Sequence, residues 1–218
     1  MNMRKVVIIG AGTMGVGIAE VCARAGMDTT LCDVDDAAIE RSKVRIDASM
    51  TKAVLKGKLS ESDAQAAHAR MRFETSTEAA EPEGANLIIE AVPERIDLKK
   101  QVLHEVSNLS PEALIASNTS SLSVTELAAA CRNPGRVLGL HFFNPVPVMS
   151  LLEIVRADQS EDACIDAALA FAARIDKSPI VVRDMPGFAT SRLGIALGME
   201  AIRMLEQNIA SAEAIDQA

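Results

Sequence analysis

Tryptophan and tyrosine are absent, and five phenylalanines supply all of the chain's 2% aromatic content. No tyrosine phenolate can therefore serve as a base, and the core must be built from Val, Ile, Leu, Ala and Met, which a hydrophobic content of 49% allows. Long apolar runs are missing too. The run Val6–Ile9 near the start is too short for a signal-peptide core or a membrane span, so neither is expected there. Positive charge is in deficit: the net formal charge of −8 argues against a nucleic acid or an anionic membrane as partner. The four cysteines, Cys22, Cys32, Cys131 and Cys164, lack the paired spacing of a metal or redox site. They read as free thiols of a reducing compartment, which sets the expectation of a cytoplasmic protein without a metal. Histidine is scarce as well: of three, His68 and His104 fall in polar helical segments, which leaves His141.

At 218 residues the chain exceeds one minimal module and falls short of two full domains. Val6–Ile9 is a β-branched run of the kind that fills a buried parallel strand. Met14, Ile18, Val21, Cys22 and Ala25 then recur at helical spacing, Gly26 ends that helix, and Thr29–Cys32 reads as a second strand. Residues 36 to about 70 show two helical patterns joined near Gly57 and no strand, which is long for a crossover and reads as an inserted helical hairpin. Strands follow at Leu87–Val92, Ala113–Ser117, Arg136–His141, Leu151–Val155 and Pro179–Val182, with helices between most of them. Asp97 is expected to cap one helix, and Ser123 with Glu126 to form a capping box for another. The expected fold is α/β: a Rossmann-type, mostly parallel sheet over residues 1–185 with the helical hairpin inserted. Pro186 and Gly187 mark a boundary, and residues 186–218 begin a helical domain whose apolar stripe, Leu193, Leu197, Ala201, Met204 and Leu205, calls for a cover.

Gly10-Ala-Gly-Thr-Met-Gly15 follows the first strand and opens the first helix. In such a turn Gly10 permits the sharp bend, Gly12 lets the backbone approach a pyrophosphate, and Gly15 lets helix and strand pack closely. Thr13 and Met14 begin the helix whose free N–H groups face an anion. Asp33 closes the second strand, where an acid can hold both ribose hydroxyls and repel a 2′-phosphate, so NAD is the expected cofactor. A doubly wound domain that uses the glycines for packing alone is the competing reading.

In Leu138-Gly-Leu-His-Phe-Phe-Asn-Pro-Val-Pro-Val-Met-Ser-Leu-Leu-Glu153, Pro145 and Pro147 fix a turn between two strands. A strand–turn–strand return can bring His141 to Glu153. A carboxylate beside an imidazole sets its tautomer and raises its basicity, which is how a general base is built.

With Glu90-Ala-Val-Pro-Glu94, Ser117-Asn-Thr-Ser-Ser-Leu122, His141-Phe-Phe-Asn-Pro-Val-Pro-Val-Met149 and Pro186-Gly-Phe188 added to the glycine turn, the sequence resembles the L-3-hydroxyacyl-CoA dehydrogenase family, including its 3-hydroxybutyryl-CoA members, from Val6 to about Leu205. The resemblance implies that His141 takes the substrate hydroxyl proton, oriented by Glu153. It implies that Ser120 contacts the substrate oxygen and the nicotinamide, that Asn144 hydrogen-bonds on the nicotinamide side, and that Glu94 and Lys99 line the NAD ribose and nicotinamide. The positions of Ser49 and Lys56 are implied contacts of coenzyme A. Ser191 stands where the family often has an asparagine near the substrate, a shorter side chain with less reach. The family also carries a helical carboxy-terminal domain that forms a homodimer and closes the acyl-CoA cleft; here its first helix and a stub are present.

Residues 41–58 add a basic island to an acidic protein: Arg41, Lys43, Arg45, Lys52, Lys56 and Lys58 against Asp47 alone. Arg41, Arg45, Ser49, Lys52 and Lys56 can share one helical face, which would attract a polyanion such as the phosphates of coenzyme A, or simply be solvated. Two other functions stay open. One is a dehydrogenase of free hydroxy acids or sugar acids; the lack of lysine from Pro186 to Glu206 counts against the lysine-based β-hydroxyacid dehydrogenases among these. The other is a non-catalytic NAD-binding protein.

Overall fold

Alternation along the first strand divides the protein into layers. The computed structural model describes residues 3–218. In β1 (Lys5–Ile9), Val6 and Ile8 point into one core cluster while Val7 and Ile9 point into another, as side chains on a strand must. β4 (Leu87–Glu90) divides in the same way, Leu87 and Ile89 on one face and Ile88 on the other. A strand buried on both faces needs helices on both sides. α1 (Thr13–Arg24) and α6 (Asp162–Arg174) cover the first face through Ile18, Cys22, Ile165 and Phe171. α4 (Ile96–Leu109) and α5 (Val124–Ala128) cover the second through Leu103, Val106 and Leu127. Each such aliphatic side chain stabilises the fold by about 1.5–3 kcal/mol relative to exposure.

The eight strands lie in the order β3-β2-β1-β4-β5-β6-β7-β8. They comprise, besides β1 and β4, β2 (Asp28–Cys32), β3 (Met71–Glu74), β5 (Leu114–Ser117), β6 (Val137–Phe142), β7 (Leu151–Arg156) and β8 (Ser178–Arg183). Pairings from β3 across to β6 are parallel, β6 and β7 are antiparallel, and β7 and β8 are parallel again. The strand order reverses between β1 and β4, so a crevice opens beyond their carboxyl ends. α2 (Asp36–Leu55) and α3 (Glu61–His68) form the expected hairpin in the crossover from β2 to β3. α7 (Thr190–Glu206) and α8 (Ala212–Gln217) follow β8.

The structure corrects three readings. β3 lies just past the helical hairpin, where no element was expected; it is an edge strand whose Arg72 pairs with Glu74 and Glu81, so charge masks its period. α4 starts two residues earlier than a cap at Asp97 allows: Arg95 holds the cap position without a side-chain bond, and Asp97 sits in the first turn. The capping box is half formed. Ser123 Oγ accepts from the Glu126 N–H, whereas the Glu126 carboxylate pairs with Lys100 at 2.6 Å.

Candidate active site

The parallel strands deliver their carboxyl ends to one edge. Gly10 follows β1 and its backbone N–H donates to the Cys32 carbonyl at the end of β2, 2.7 Å away. The turn at Gly10 has φ +111°, and a Cβ there would lie 2.6 Å from the Ala91 carbonyl oxygen; at Gly15 a Cβ would lie 1.8 Å from the Gly10 carbonyl oxygen. Both positions therefore require glycine. A Cβ on Gly12 would meet nothing within 4 Å, so the space above the α1 N-terminus is open. Gly12 is the cap of α1 without any side-chain bond, Thr13 is exposed and Met14 is half-buried against the core. The first N–H groups of α1 thus face free space, which suits an anionic group. Asp33 borders this space. Its Oδ2 accepts from the Ala11 N–H at 2.7 Å and its Oδ1 from the Asp35 N–H at 3.0 Å, which fixes the carboxylate beside the glycine turn. Arg41 points away and pairs with Asp35 at 3.2 Å. An open helix N-terminus next to an oriented acid fits a dinucleotide with a free ribose diol.

Further along the same edge, the Glu90 side chain ends β4 fully buried. It accepts from Lys99 Nζ at 2.7 Å, the Val92 N–H at 2.7 Å and Ser117 Oγ at 2.5 Å. Lys99 is 0% exposed, and its ammonium also reaches the Val92 carbonyl at 3.2 Å and Glu94 Oε2 at 3.3 Å. All three of its donors are engaged. Lys99, expected with Glu94 to line the NAD ribose and nicotinamide, lies buried behind Glu94, and the two do not form a solvated pair. Glu94 Oε1 gathers the serine-rich loop by accepting from Thr119 Oγ1 at 2.6 Å and from the Ser120 and Ser121 N–H groups at 2.9 and 3.2 Å. Burial alone would raise the Glu94 carboxyl, but these bonds and Lys99 outweigh it and hold its pKa below the ordinary value. The Ser120 hydroxyl, 3.3 Å from Glu94 Oε1, stays exposed at the edge. Asn118 Oδ1 accepts from the Phe142 N–H at 3.0 Å, which ties this loop to the end of β6.

At that end stands His141. It is the register partner of Glu153 across the antiparallel β6–β7 pair, and its Nδ1 lies 2.6 Å from Glu153 Oε2. Phe143 and Phe188 flank the imidazole at ring distances of 4.5 and 5.7 Å. Glu153 is fully buried and accepts three further bonds: to Oε1 from the Ala189 and Thr190 N–H groups at 3.1 and 3.0 Å, and to Oε2 from Thr190 Oγ1 at 2.9 Å. Burial pushes its carboxyl up, yet the bonds from His141, Thr190 and Ala189 prevail and its pKa lies below the ordinary value. A carboxylate that accepts from Nδ1–H leaves Nε2 as the acceptor nitrogen of a neutral ring. Nε2 has no hydrogen-bond partner among the described residues and is not sealed from solvent. The arrangement can take up a proton at Nε2 and stabilise the resulting cation from behind.

Asn144, exposed, follows on the loop after β6 and precedes a cis peptide bond to Pro145. Pro145, Pro147 and Val148 of this loop form one wall of a groove of about 310 Å³. Ser49, Lys52, Ala53, Lys56 and Lys58 of the hairpin line it as well, with Glu20 and Arg24 of α1. The groove therefore brings Ser49 and Lys56 beside the loop that leaves His141, while Arg41 and Arg45 lie outside it. Ser191 sits half-exposed in the first turn of α7 and makes no side-chain hydrogen bond among the described residues. The side chain that reaches the acid is Thr190, which sequence reasoning missed: a threonine opening a helix carries no mark of a bond to a distant strand. Among the described residues no cluster of His, Cys, Asp or Glu is arranged to hold a metal, and no helix is long and apolar enough to cross a membrane.

Comparison with known proteins places this geometry. Residues 5–185 match the family model of the 3-hydroxyacyl-CoA dehydrogenase NAD binding domain, and residues 187–218 match that of the 3-hydroxyacyl-CoA dehydrogenase C-terminal domain. The 3-hydroxybutyryl-CoA dehydrogenase of Bradyrhizobium diazoefficiens is 37% identical over 99% of this chain and 73% of its own length. The 3-hydroxyadipyl-CoA dehydrogenase of Escherichia coli is 36% identical over 100% of this chain and 46% of its own. The crystal structure of (S)-3-hydroxybutyryl-CoA dehydrogenase PaaH1 from Ralstonia eutropha superposes with a TM-score of 0.91 and 39% identity, covering 98% of this chain and 75% of that one. With family models covering residues 5–185 and 187–218 and relatives at 36–39% identity over nearly the whole of it, the chain belongs to the 3-hydroxyacyl-CoA dehydrogenase family.

Proposed function

We propose that the protein oxidises the 3-hydroxyl of short L-3-hydroxyacyl-CoA esters to the ketone, reversibly, with NAD as hydride acceptor. The observation that carries this reading is the 2.6 Å bond between His141 Nδ1 and Glu153 with Nε2 left free. When bound, NAD supplies a pyridinium ring that accepts hydride from carbon three. Everything else falls to this chain. His141 Nε2 removes the hydroxyl proton as the carbonyl forms, and Glu153 holds the ring's tautomer and balances the charge it acquires. The Ser120 hydroxyl donates to the substrate oxygen, and Asn144 meets the carboxamide side of the nicotinamide. The turn of Gly10, Gly12, Thr13, Met14 and Gly15 receives the pyrophosphate, and Asp33 the adenosine ribose. Glu94 shapes the serine loop from the ribose side, with Lys99 acting behind it.

The groove between Ser49, Lys52 and Lys56 and the Pro145–Val148 wall favours a coenzyme A ester over a free acid, because it offers cations and an apolar face together. Short acyl chains follow the names of the relatives. We take residues 1–185 as the dinucleotide domain and 186–218 as the start of a helical domain. The exposure of Leu193 at 70% and Leu197 at 74% on α7 supports a second copy as cover, hence a homodimer. Buried free thiols and the acidic surface support a cytoplasmic setting. The deciding assay follows NADH oxidation with acetoacetyl-CoA and with free acetoacetate. Turnover of the ester alone is expected; equal turnover of both would remove the coenzyme A reading, and no turnover by a preparation that binds NADH would remove the enzyme.

A further inference from the structure

The four bonds to Glu153 come from only three residues, and two of them, Ala189 and Thr190, have no part in the reaction as described. Oε1 is fixed by the Ala189 and Thr190 backbone N–H groups at the start of α7, whose cap residue, Ala189, offers no side-chain bond of its own. Glu153 thus supplies, from β7, the negative charge that this helix end attracts. Oε2 is the oxygen on Nδ1, and it is shared: the Thr190 hydroxyl donates to it at 2.9 Å. A carboxylate anchored through one oxygen can still pivot about that anchor. The hydroxyl on the other oxygen removes the pivot and fixes the direction in which the acid faces the imidazole.

We infer that Thr190 is a positioning residue for the His141–Glu153 pair, acting through its hydroxyl rather than through its place in the helix. The inference rests on the reading of His141 as the base. The charged groups on the neighbouring elements are otherwise engaged. Glu94 holds the serine loop, and Asp184 accepts from Ser123 Oγ and the Thr125 N–H. Arg192 on α7 has no side-chain bond to either member among the described residues. Among the described residues the threonine hydroxyl is therefore the one side-chain donor, besides the imidazole, that acts on this acid.

The test compares Thr190→Val, which keeps the shape and loses the donor, with Thr190→Ser, which keeps the donor and loses the methyl. Two readouts are taken on the whole protein. The first is the low-field proton resonance of the His141 Nδ1–H, assigned by its loss in His141→Gln, which needs no turnover. The second is the split between kcat and KM for acetoacetyl-CoA. Thr190→Val is expected to displace the resonance and to lower kcat about three- to tenfold, the scale of one hydrogen bond, with KM held within about twofold. Thr190→Ser is expected to restore both. A Val variant whose resonance stays in place, or a Ser variant displaced as far as Val, overturns the inference. Should Val fail to fold, Thr190→Ala against Thr190→Ser gives the same contrast. Should neither form turn over the ester, the proposed function falls, while the resonance still decides the role of Thr190.

Discussion

Two buried clusters of acid and base stand on the same sheet edge, and they differ in what is left over. In the Glu90–Lys99–Glu94 cluster every ammonium donor has a partner and the product is a fixed loop. In the His141–Glu153 cluster the carboxylate is saturated but the ring keeps one nitrogen without a bond. Burial and pairing alone therefore do not mark a reactive group. A buried base becomes chemical when its partner occupies one end of it and the other end opens on a cleft; a base engaged at every donor builds structure.

Removing the free nitrogen should break the contrast most. His141→Gln keeps a polar side chain on β6 but offers no base, and kcat with acetoacetyl-CoA is expected to fall between about 10²- and 10⁴-fold. NADH affinity, read by fluorescence titration, should change less than about twofold, because the glycine turn and Asp33 are remote from the ring. A loss of NADH binding equal to the loss of rate would assign His141 to the fold instead.

The opposite result is expected at the other cluster. Lys99→Met leaves Glu90 buried without its cation, a change that costs about 3–5 kcal/mol of stability. Urea unfolding reads it directly. The double variant with Glu90→Gln should recover a good part, since it removes the orphaned charge as well. Activity should fall only as far as the Ser120 loop loosens. If Lys99→Met were stable yet inactive, the lysine would be a contact of substrate or cofactor after all.

The two clusters also differ in how far they could be read from the chain. His141 and Glu153 lie on strands joined by one proline-fixed turn, so local pattern sets their register, and the structure pairs them as partners. The glycine turn, Asp33 and the helical hairpin are equally local. Lys99 is different. A lysine near a helix start, followed by Lys100, reads as solvated, and its partners come from the end of β4 and from the loop that follows it. Nothing in helical spacing shows that those segments enclose it. Thr190 is hidden for the same reason, and β3 because Arg72 and Glu74 disguise an edge strand. Contacts set by neighbouring residues were legible; those set by tertiary closure over a polar side chain were not.

A third region tests whether exposed charge contributes as much as buried charge. Lys56 is exposed on the groove wall and makes no salt bridge among the described residues. Lys56→Glu should raise KM for acetoacetyl-CoA about tenfold at low ionic strength and less in added salt, because exposed charges are screened beyond a Debye length of ~10 Å at 0.1 M. kcat and stability should hardly move. An unchanged KM at low salt would leave the basic face as a solvated helix surface.

The smallest expected effect lies in acid. Glu153 and Glu94 both have carboxyl pKa values held below the ordinary one, despite burial, by the donors gathered on them. A group depressed in the folded state contributes stability that is fully present above its unfolded pKa, near ~4.3, and that is lost as pH falls through the folded value. Stability from urea titrations should therefore decline as the solution is acidified below about pH 5. Glu153→Gln and Glu94→Gln should each lower stability at neutral pH and flatten that decline. The flattening should be larger for Glu153, which has no exposed surface, than for Glu94, whose side chain is 36% exposed and whose charge is partly screened by water. Equal slopes in the two variants would mean that the chemical cluster is held no more firmly than the structural one, and the distinction between them would then rest on the free imidazole nitrogen alone.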